Sequence, residues 1–329
     1  SIPLGYFGGI GAASKAGILF KGANYLDLMT KVNTVVMDKT GTLTKGVFNV
    51  QKIVPTDINK QEEFVYTVAA MERFSNHPIA KAIVEFAAES DKYTATNVEE
   101  ISGYGLKGIV CEKEVLVGNT KLMKKFDIAY DKSIESIVET IVIAAIDRKY
   151  AGYITIADEV KEDAQIAISE MHSAGIKQIV MLSGDKSSIT NNVASNLGID
   201  LAYGDLLPED KVRHIEELKT DKDNVIAFVG DGINDAPSLA LSDVGIAMGG
   251  MGSDAAIEVA DVIIQTDQPS KIATSIKIAK ATKQVVVQNI VLAFSIKLIV
   301  ATMWEAVFAD VGVSLLAILN AVRILKMRF

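Results

Sequence analysis

The stretch Thr34-Val35-Val36-Met37-Asp38-Lys39-Thr40-Gly41-Thr42-Leu43-Thr44 decides the fold. A short apolar run ends on a carboxylate, the pattern of a buried parallel strand with an acid at its C-terminal tip. Such tips are where open α/β sheets bind their ligands. An aspartate there can attack phosphorus and form an acyl phosphate. Gly41 lets the backbone approach phosphate oxygens, and the hydroxyls of Thr40 and Thr42 can orient them. A phosphatase built this way would profit from a carboxylic acid two residues after the nucleophile, to serve first as acid and then as base. Thr40 stands there and can do neither, so the phosphoenzyme is expected to outlive its formation. A β-turn rich in small polar residues is the plain alternative.

Outward from this strand the pattern divides. From Val47 to about Ala151, helical stretches at 61–71 and 78–88 precede short strands at 106–111 and 115–117, then a strand pair at 141–146 and 152–156. This is expected to be an α+β insertion. After Asp158 helices and strands alternate again. An amphipathic helix at 163–174 leads to a buried strand at 178–182, and a helix at 189–197 is closed by Gly198. Further strands follow at 224–229, 244–248 and 262–264. The sum is a doubly wound parallel sheet interrupted after its first strand by the insertion.

Three later segments supply what phosphoryl transfer needs besides a nucleophile. Ser183 ends a strand in Leu182-Ser183-Gly184-Asp185 and can hydrogen-bond a phosphoryl oxygen. Lys211, in Pro208-Glu209-Asp210-Lys211, can neutralise phosphate charge. Asp231, in Gly230-Asp231-Gly232-Ile233-Asn234-Asp235-Ala236-Pro237, is placed to hold Mg²⁺ with Asp38. Singly these are a helix cap, a solvated lysine and a turn; together they form one site. Composition narrows the field further. A net charge of −8 argues against a nucleic-acid partner. One cysteine, Cys111, and three histidines exclude a disulfide framework and a thiolate metal module. At 329 residues there is room for two soluble domains, by the usual ~100–200 residues each, and the 49% hydrophobic fraction points to membrane sequence besides. No signal peptide is read at Ser1, and the sequence reads as a piece of something longer.

The set beginning at Asp38, with Leu207-Pro208-Glu209-Asp210-Lys211 and the Gly230 to Pro237 stretch, resembles the P-type ATPases along essentially the whole chain. The resemblance implies a haloacid dehalogenase-like α/β fold with an inserted α+β nucleotide-binding domain and a C-terminal transmembrane helical region. It implies ATP and Mg²⁺ as cofactors, with catalytic roles for Asp38, Thr40, Ser183, Lys211 and Asn234. Mg²⁺ would be held by Asp38, Asp231, Asp235 and the backbone carbonyl of Thr40. Glu72 with Ser75-Asn76-His77-Pro78 resembles the His-Pro motif of the heavy-metal pumps. Glu72, His77, Gly103, Gly105 and Asn119 would then contact the nucleotide, although His77 ahead of Pro78 also suits a helix-start residue. Expected boundaries are 1–27 for the cytosolic end of a membrane helix and linker, 28–46 with 152–268 for the phosphorylation domain, 47–151 for the nucleotide-binding domain and 269–329 for membrane helices.

From Val285 to Leu325 the chain is apolar with Lys297, Glu305 and Asp310 embedded in it. Ionisable groups in a span mark a pathway by default. Gln288-Asn289, Lys297, Asp310-Val311-Gly312, Asn320 and Arg323 resemble the last spans of the zinc, cadmium and lead pumps, which implies Asp310 as a ligand of the transported ion and Lys297 as its neutralising partner. A hard carboxylate suits Zn²⁺ or Cd²⁺ better than Cu⁺. The two groups stand 13 positions apart. One helix would separate them by ~220° and ~20 Å, whereas a hairpin near 301–303 would bring both close to its turn. The resemblance also implies that an N-terminal half is missing: earlier spans, a Cys-Pro-Cys and an actuator domain with its Thr-Gly-Glu loop. The expected activity is ATP-dependent divalent heavy-metal export from the inner or plasma membrane, with catalytic domains in the cytosol. A stand-alone haloacid dehalogenase-type phosphatase and a transport-incompetent nucleotide-binding fragment are the alternatives.

Overall fold

A computed structural model describes residues 2–87, 92–249, 253–299 and 303–327, with the backbone alone over 297–299 and 303–310. The chain divides into two compact units, Ser1–Thr44 with Val160–Phe329, and the inserted Lys45–Glu159. In chain order, α1 (Ile2–Lys15), β1 (Ile18–Phe20), α2 (Ala23–Met29) and β2 (Thr34–Asp38) lead to the insertion. There follow β3 (Thr44–Pro55), α3 (Gln61–Glu72), α4 (Pro78–Ala87), β4 (Ala95–Ile101), β5 (Gly105–Val110), β6 (Lys113–Gly118), α5 (Thr120–Lys125), β7 (Thr140–Ile146) and β8 (Lys149–Val160). The first unit resumes with α6 (Ala164–Ser173), β9 (Gln178–Leu182), α7 (Ser187–Leu197), β10 (Leu201–Tyr203), α8 (Pro208–Lys219) and β11 (Ile226–Gly230). It ends with α9 (Ala236–Leu241), β12 (Val244–Met248), α10 (Asp254–Val259), β13 (Val262–Ile264), α11 (Ser270–Ile299) and α12 (Met303–Ile324).

In the first unit, seven described strands form one sheet in the order β1-β13-β12-β11-β2-β9-β10. All its pairings are parallel except that of β1 with β13, at the edge. β2, β11, β12 and β13 are buried along their whole length, because their continuous runs of apolar, often β-branched residues are covered on both faces. The two-residue period sorts the side chains. Val35, Met37, Ile179, Met181, Ala227 and Val229 join a core with α2, α6 and α11. Val36, Val180, Leu182 and Phe228 join one with α8, α9 and α10. From β2 the chain order runs outward both ways, to β11 on one side and β9 on the other. This switch point places a crevice at the C-terminal ends of these three strands.

The inserted unit is an antiparallel six-stranded sheet in the order β3-β8-β7-β6-β5-β4 among the described residues. α3 and α4 pack on one face through Phe64, Val68, Met71 and Ile83. α5 packs on the other through Leu122 and Met123. The expected return at 151/152 falls inside β8, whose ladder with β7 runs on to Ile156, and so the observed division lies at 159/160. Cys111, expected at a strand end, is instead the first residue of a two-residue hairpin with Glu112, at φ 49 and 63. Asp147 and Arg148 turn β7 into β8 the same way, at φ 48 and 59.

The ends of the chain differ from the expected division as well. The first half of α11 is core of the first unit, with Ile272, Ala273, Ile276 and Ile278 fully buried beside Ala12 and Ala13 of α1. Ser270, just past the expected boundary at 269, opens a helix whose first half packs within the first unit. Of the single-helix and hairpin alternatives for the last segment, the hairpin is observed. Asn320 donates to Asn289 at 2.9 Å, Asn289 donates to the Ala317 carbonyl at 3.3 Å, and Arg323 donates to Gln288 at 3.1 Å. Among the described residues no helix is long and apolar enough to cross a membrane. Lys297 lies in α11 and Asp310 in α12, and their side chains fall outside the described residues.

Candidate functional site

Strand register brings the first unit's site together. Asp38 pairs with Leu182 across β2 and β9, and Met37 pairs with Val229 across β2 and β11. Asp38, the loop after Leu182 and the loop after Gly230 therefore reach the crevice at one level. A cavity of about 310 Å³ is lined there by Asp38, Thr40, Gly184, Asp185, Lys211, Asp231, Asn234 and Asp235. Asp38, Lys211 and Asp235 are buried and Asp231 half-buried. Lys211, on the first turn of α8, bridges two carboxylates, at 2.5 Å from Asp38 Oδ1 and 2.9 Å from Asp235 Oδ1. Burial and the nearby Asp235 push the Asp38 carboxyl up to about 7, against the opposing pull of Lys211. Asp231 is pushed up to about 6 by burial and by Asp235. Burial would lower the Lys211 ammonium, but the charges of Asp38 and Asp235 outweigh it and raise it.

Carboxylate oxygens of Asp38, Asp231 and Asp235 lie within 4.8 Å of one another. Three hard oxygen donors against one contacting ammonium leave uncompensated negative charge, which suits Mg²⁺ and not a thiophilic ion. Gly41 makes this convergence possible. Its φ is +74, and a Cβ on it would lie 1.7 Å from Asp231 Oδ2, so any side chain there would expel the carboxylate.

Thr40 and Asn234 are exposed at the cavity. Ser183 is buried behind the lining, where its Oγ accepts from the Asp185 N–H at 3.1 Å. Sequence reasoning missed the contacts that hold the loops. Buried Lys39 forms an ion pair with Asp185. Buried Lys161 donates to the Gly41 carbonyl at 2.5 Å and stands 3.1 Å from Asp267. A lysine directly after the nucleophile was the available signal for the first; no local signal marks the second.

In the inserted unit, Glu72, Ser75, His77, Gly103, Gly105 and Asn119 line one cavity of about 350 Å³. Glu72 ends α3, is 8% exposed, and is pushed up to about 7 by burial. His77 precedes Pro78 of α4, and its Nδ1 accepts from the Ile79 N–H at 3.3 Å. It thus caps the helix and lines the cavity at once, with Nε2 left as the donor. Asn119 is occupied at both ends: its Oδ1 accepts from Lys121 and Leu122, and its Nδ2 donates to the Gly103 carbonyl at 3.0 Å. It shapes the glycine loop. Gly105 at φ +141 lets β5 approach β6, since a Cβ would lie 2.2 Å from the Val117 carbonyl.

A family model described as haloacid dehalogenase-like hydrolase matches residues 32–243, and a second of the same description matches 212–276. A zinc-transporting ATPase of Synechocystis sp. is 51% identical over 337 residues, which cover 99% of this chain and 46% of that protein. A cadmium, zinc and cobalt-transporting ATPase of Bacillus subtilis is 48% identical over 343 residues, covering 100% and 48%. Among solved structures, a zinc-transporting PIB-type ATPase in its E2·Pi state superposes with a TM-score of 0.88 at 34% identity, over 98% of this chain and 55% of that one. The catalytic domain of a CPx-ATPase gives a TM-score of 0.64 at 30% identity, over 80% of this chain and 97% of that domain. The chain spans about half the length of the curated relatives it matches.

Proposed function

The chain belongs to the haloacid dehalogenase-like hydrolases and, within them, to the heavy-metal P-type ATPases, and from that premise we propose that it transfers the γ-phosphate of ATP to Asp38. The observation that carries this reading is the buried Asp38 at a strand tip, bonded to Lys211 and converging with Asp231 and Asp235. An Asp38 oxygen attacks the γ-phosphorus. The new O–P bond forms as the bond to the β,γ-bridging oxygen breaks, and ADP leaves. Lys211 neutralises charge on the transferring group. Thr40 and Asn234, at the cavity wall, orient its oxygens. Asp38, Asp231, Asp235 and the Thr40 carbonyl would hold Mg²⁺, which supplies further neutralisation of phosphate charge when bound.

The inserted unit binds the nucleotide. Glu72 and the His77 Nε2 supply polar contacts, and the glycines of the cavity let the purine and phosphates lie against backbone. Thr40 offers no acid–base group at the position where a phosphatase needs one, so the acyl phosphate persists. In the whole protein the reaction drives export of a divalent heavy-metal ion, Zn²⁺, Cd²⁺ or Pb²⁺, through a site that includes Asp310 and Lys297. Exposed Phe7 of α1, Val291 and Phe294 of α11, and Val311, Leu315 and Leu319 of α12 support a membrane setting for this end. An N-terminal half with the actuator domain would complete the pump in the inner or plasma membrane, its catalytic units in the cytosol.

Incubation of the chain with γ-labelled ATP and Mg²⁺ tests the reading. An acid-stable, hydroxylamine-labile label on the protein is the expected result. Rapid release of inorganic phosphate with no trapped label would instead indicate a phosphatase, and nucleotide binding with neither would leave a binding module.

A further inference from the structure

Lys161 takes no direct part in the chemistry above, yet it holds the turn that carries it. It is 7% exposed. Its ammonium donates to the Gly41 carbonyl at 2.5 Å, and its backbone N–H donates to the Leu43 carbonyl at 2.9 Å. One residue thus grips two carbonyls of the turn 39–44. That turn is otherwise closed on itself, by Leu43 and Thr44 N–H groups donated to the Lys39 carbonyl. The same Gly41 abuts the Asp231 carboxylate, so a shift of its peptide displaces the carboxylate group facing Asp38.

A carbonyl alone does not compensate a buried ammonium. Asp267 completes the balance, with its Oδ1 at 3.1 Å from Lys161 Nζ. Two residues beyond Lys161, Asp163 accepts the Ser270 N–H at 2.9 Å, at the first residue of α11. The segment returning from the insertion is therefore tied twice: to the turn through Lys161, and to the entrance of α11 through Asp163. A buried ion pair is weak evidence of stability, since well-packed apolar residues often serve as well. A positional role accounts for this one better, because the ammonium ends on a backbone atom of the phosphoacceptor turn.

We propose that the Lys161–Asp267 pair is a positioning device for phosphoryl transfer, fixing the turn that aims Asp38 against Asp231 and joining that turn to the start of α11. The proposal rests on the aspartyl-phosphate reading and is tested in the 329-residue chain by two readouts. In single-turnover labelling, Lys161→Met slows phosphorylation ~10²-fold, the effect of an ångström-scale misplacement, with the ATP concentration for half-saturation within about twofold of wild type. Lys161→Arg, which keeps a buried cation and donor, restores most of the rate. Asp267→Asn, which keeps the ammonium, slows transfer ~10-fold and stands in should Lys161→Met fail to fold. Hydrogen exchange at the Leu43 and Thr44 amides quickens ~10-fold in Lys161→Met and stays at the wild-type rate in Lys211→Ala. A Lys161→Met chain that labels at the wild-type rate, with unchanged exchange at those amides, overturns the proposal. Should the wild-type chain take no label, the functional reading falls, and the exchange readout alone decides the positioning claim.

Discussion

The two cavities are built on opposite principles. In the first unit the site is crowded with charge: three carboxylates converge on one another, Lys211 bridges two of them, and the loops are braced by Lys39 with Asp185 and Lys161 with Asp267. In the inserted unit the cavity is shaped by glycine backbone, by an Asn119 spent on its own loop and by an exposed His77, with Glu72 as its one buried carboxyl among the described lining residues. A site that stabilises charge forming during a reaction benefits from dipoles and ions fixed beforehand. A site that only holds a nucleotide benefits from shape and a few polar groups. Substitutions in the two should therefore fail differently, in rate for the first and in affinity for the second.

The largest effect is expected at the bridging lysine. Lys211→Ala should slow single-turnover phosphorylation by ~10²–10³-fold and leave nucleotide affinity near wild type. A matching loss of affinity would break the contrast. Next comes backbone geometry. Gly41→Ala forces a side chain at φ +74 into the Asp231 carboxylate and should cost about 1–3 kcal/mol in chemical denaturation, together with Mg²⁺ binding by calorimetry. Retained Mg²⁺ affinity would show that the carboxylates converge without help from that turn.

In the inserted unit, His77→Asn keeps an acceptor for the α4 start and removes the imidazole. ATP affinity should fall about tenfold, ~1.4 kcal/mol, while the melting temperature and the transfer rate at saturating ATP hold. A fall in that rate would place His77 in the chemistry.

The contrast also shows in the pH dependence of stability. Asp38 and Asp231 titrate near 7 and 6, above the ordinary carboxylate value, so the folded chain holds these protons more tightly than the unfolded one. Without metal, their contribution is largest below about pH 4 and is lost as pH rises through 6 to 7. Mg²⁺ reverses the sign by favouring the ionised forms, so the thermal shift it produces should grow from pH 5.5 to pH 8. Asp38→Asn should flatten both trends. A Mg²⁺ shift independent of pH would show that the ion binds elsewhere.

Legibility in the sequence followed the same divide. The strands ending at Asp38, Leu182 and Gly230 were readable because buried parallel strands are continuous apolar runs, and the chemistry lies at their tips. Glu72, His77, Gly103, Gly105 and Asn119 were grouped through a resemblance, and the structure brings them to one cavity. Asn119 acts there on its own loop, which a bare Gly-Asn pair does not reveal. The brace between Lys161 and Asp267 stayed hidden for a different reason. Lys161 and Asp267 are far apart in sequence, and neither position carries a local pattern. The hairpins at Cys111-Glu112 and Asp147-Arg148 lack the glycine that usually announces such turns. At the start of α11 the residue types do not tell burial against a sheet from burial in lipid, because both select the same side chains; Ile272, Ala273 and Ile276 lie in the core of the first unit.

The claim at the centre is that Asp38, and not another of the converging carboxylates, takes the phosphate. Borohydride reduces an acyl phosphate to the alcohol, so treating the chain after incubation with ATP and Mg²⁺ marks the phosphorylated aspartate as homoserine in its peptide mass. The account predicts that mark at position 38 alone, and none in Asp38→Asn. Homoserine at 231 or 235, or a mark that survives Asp38→Asn, would contradict it.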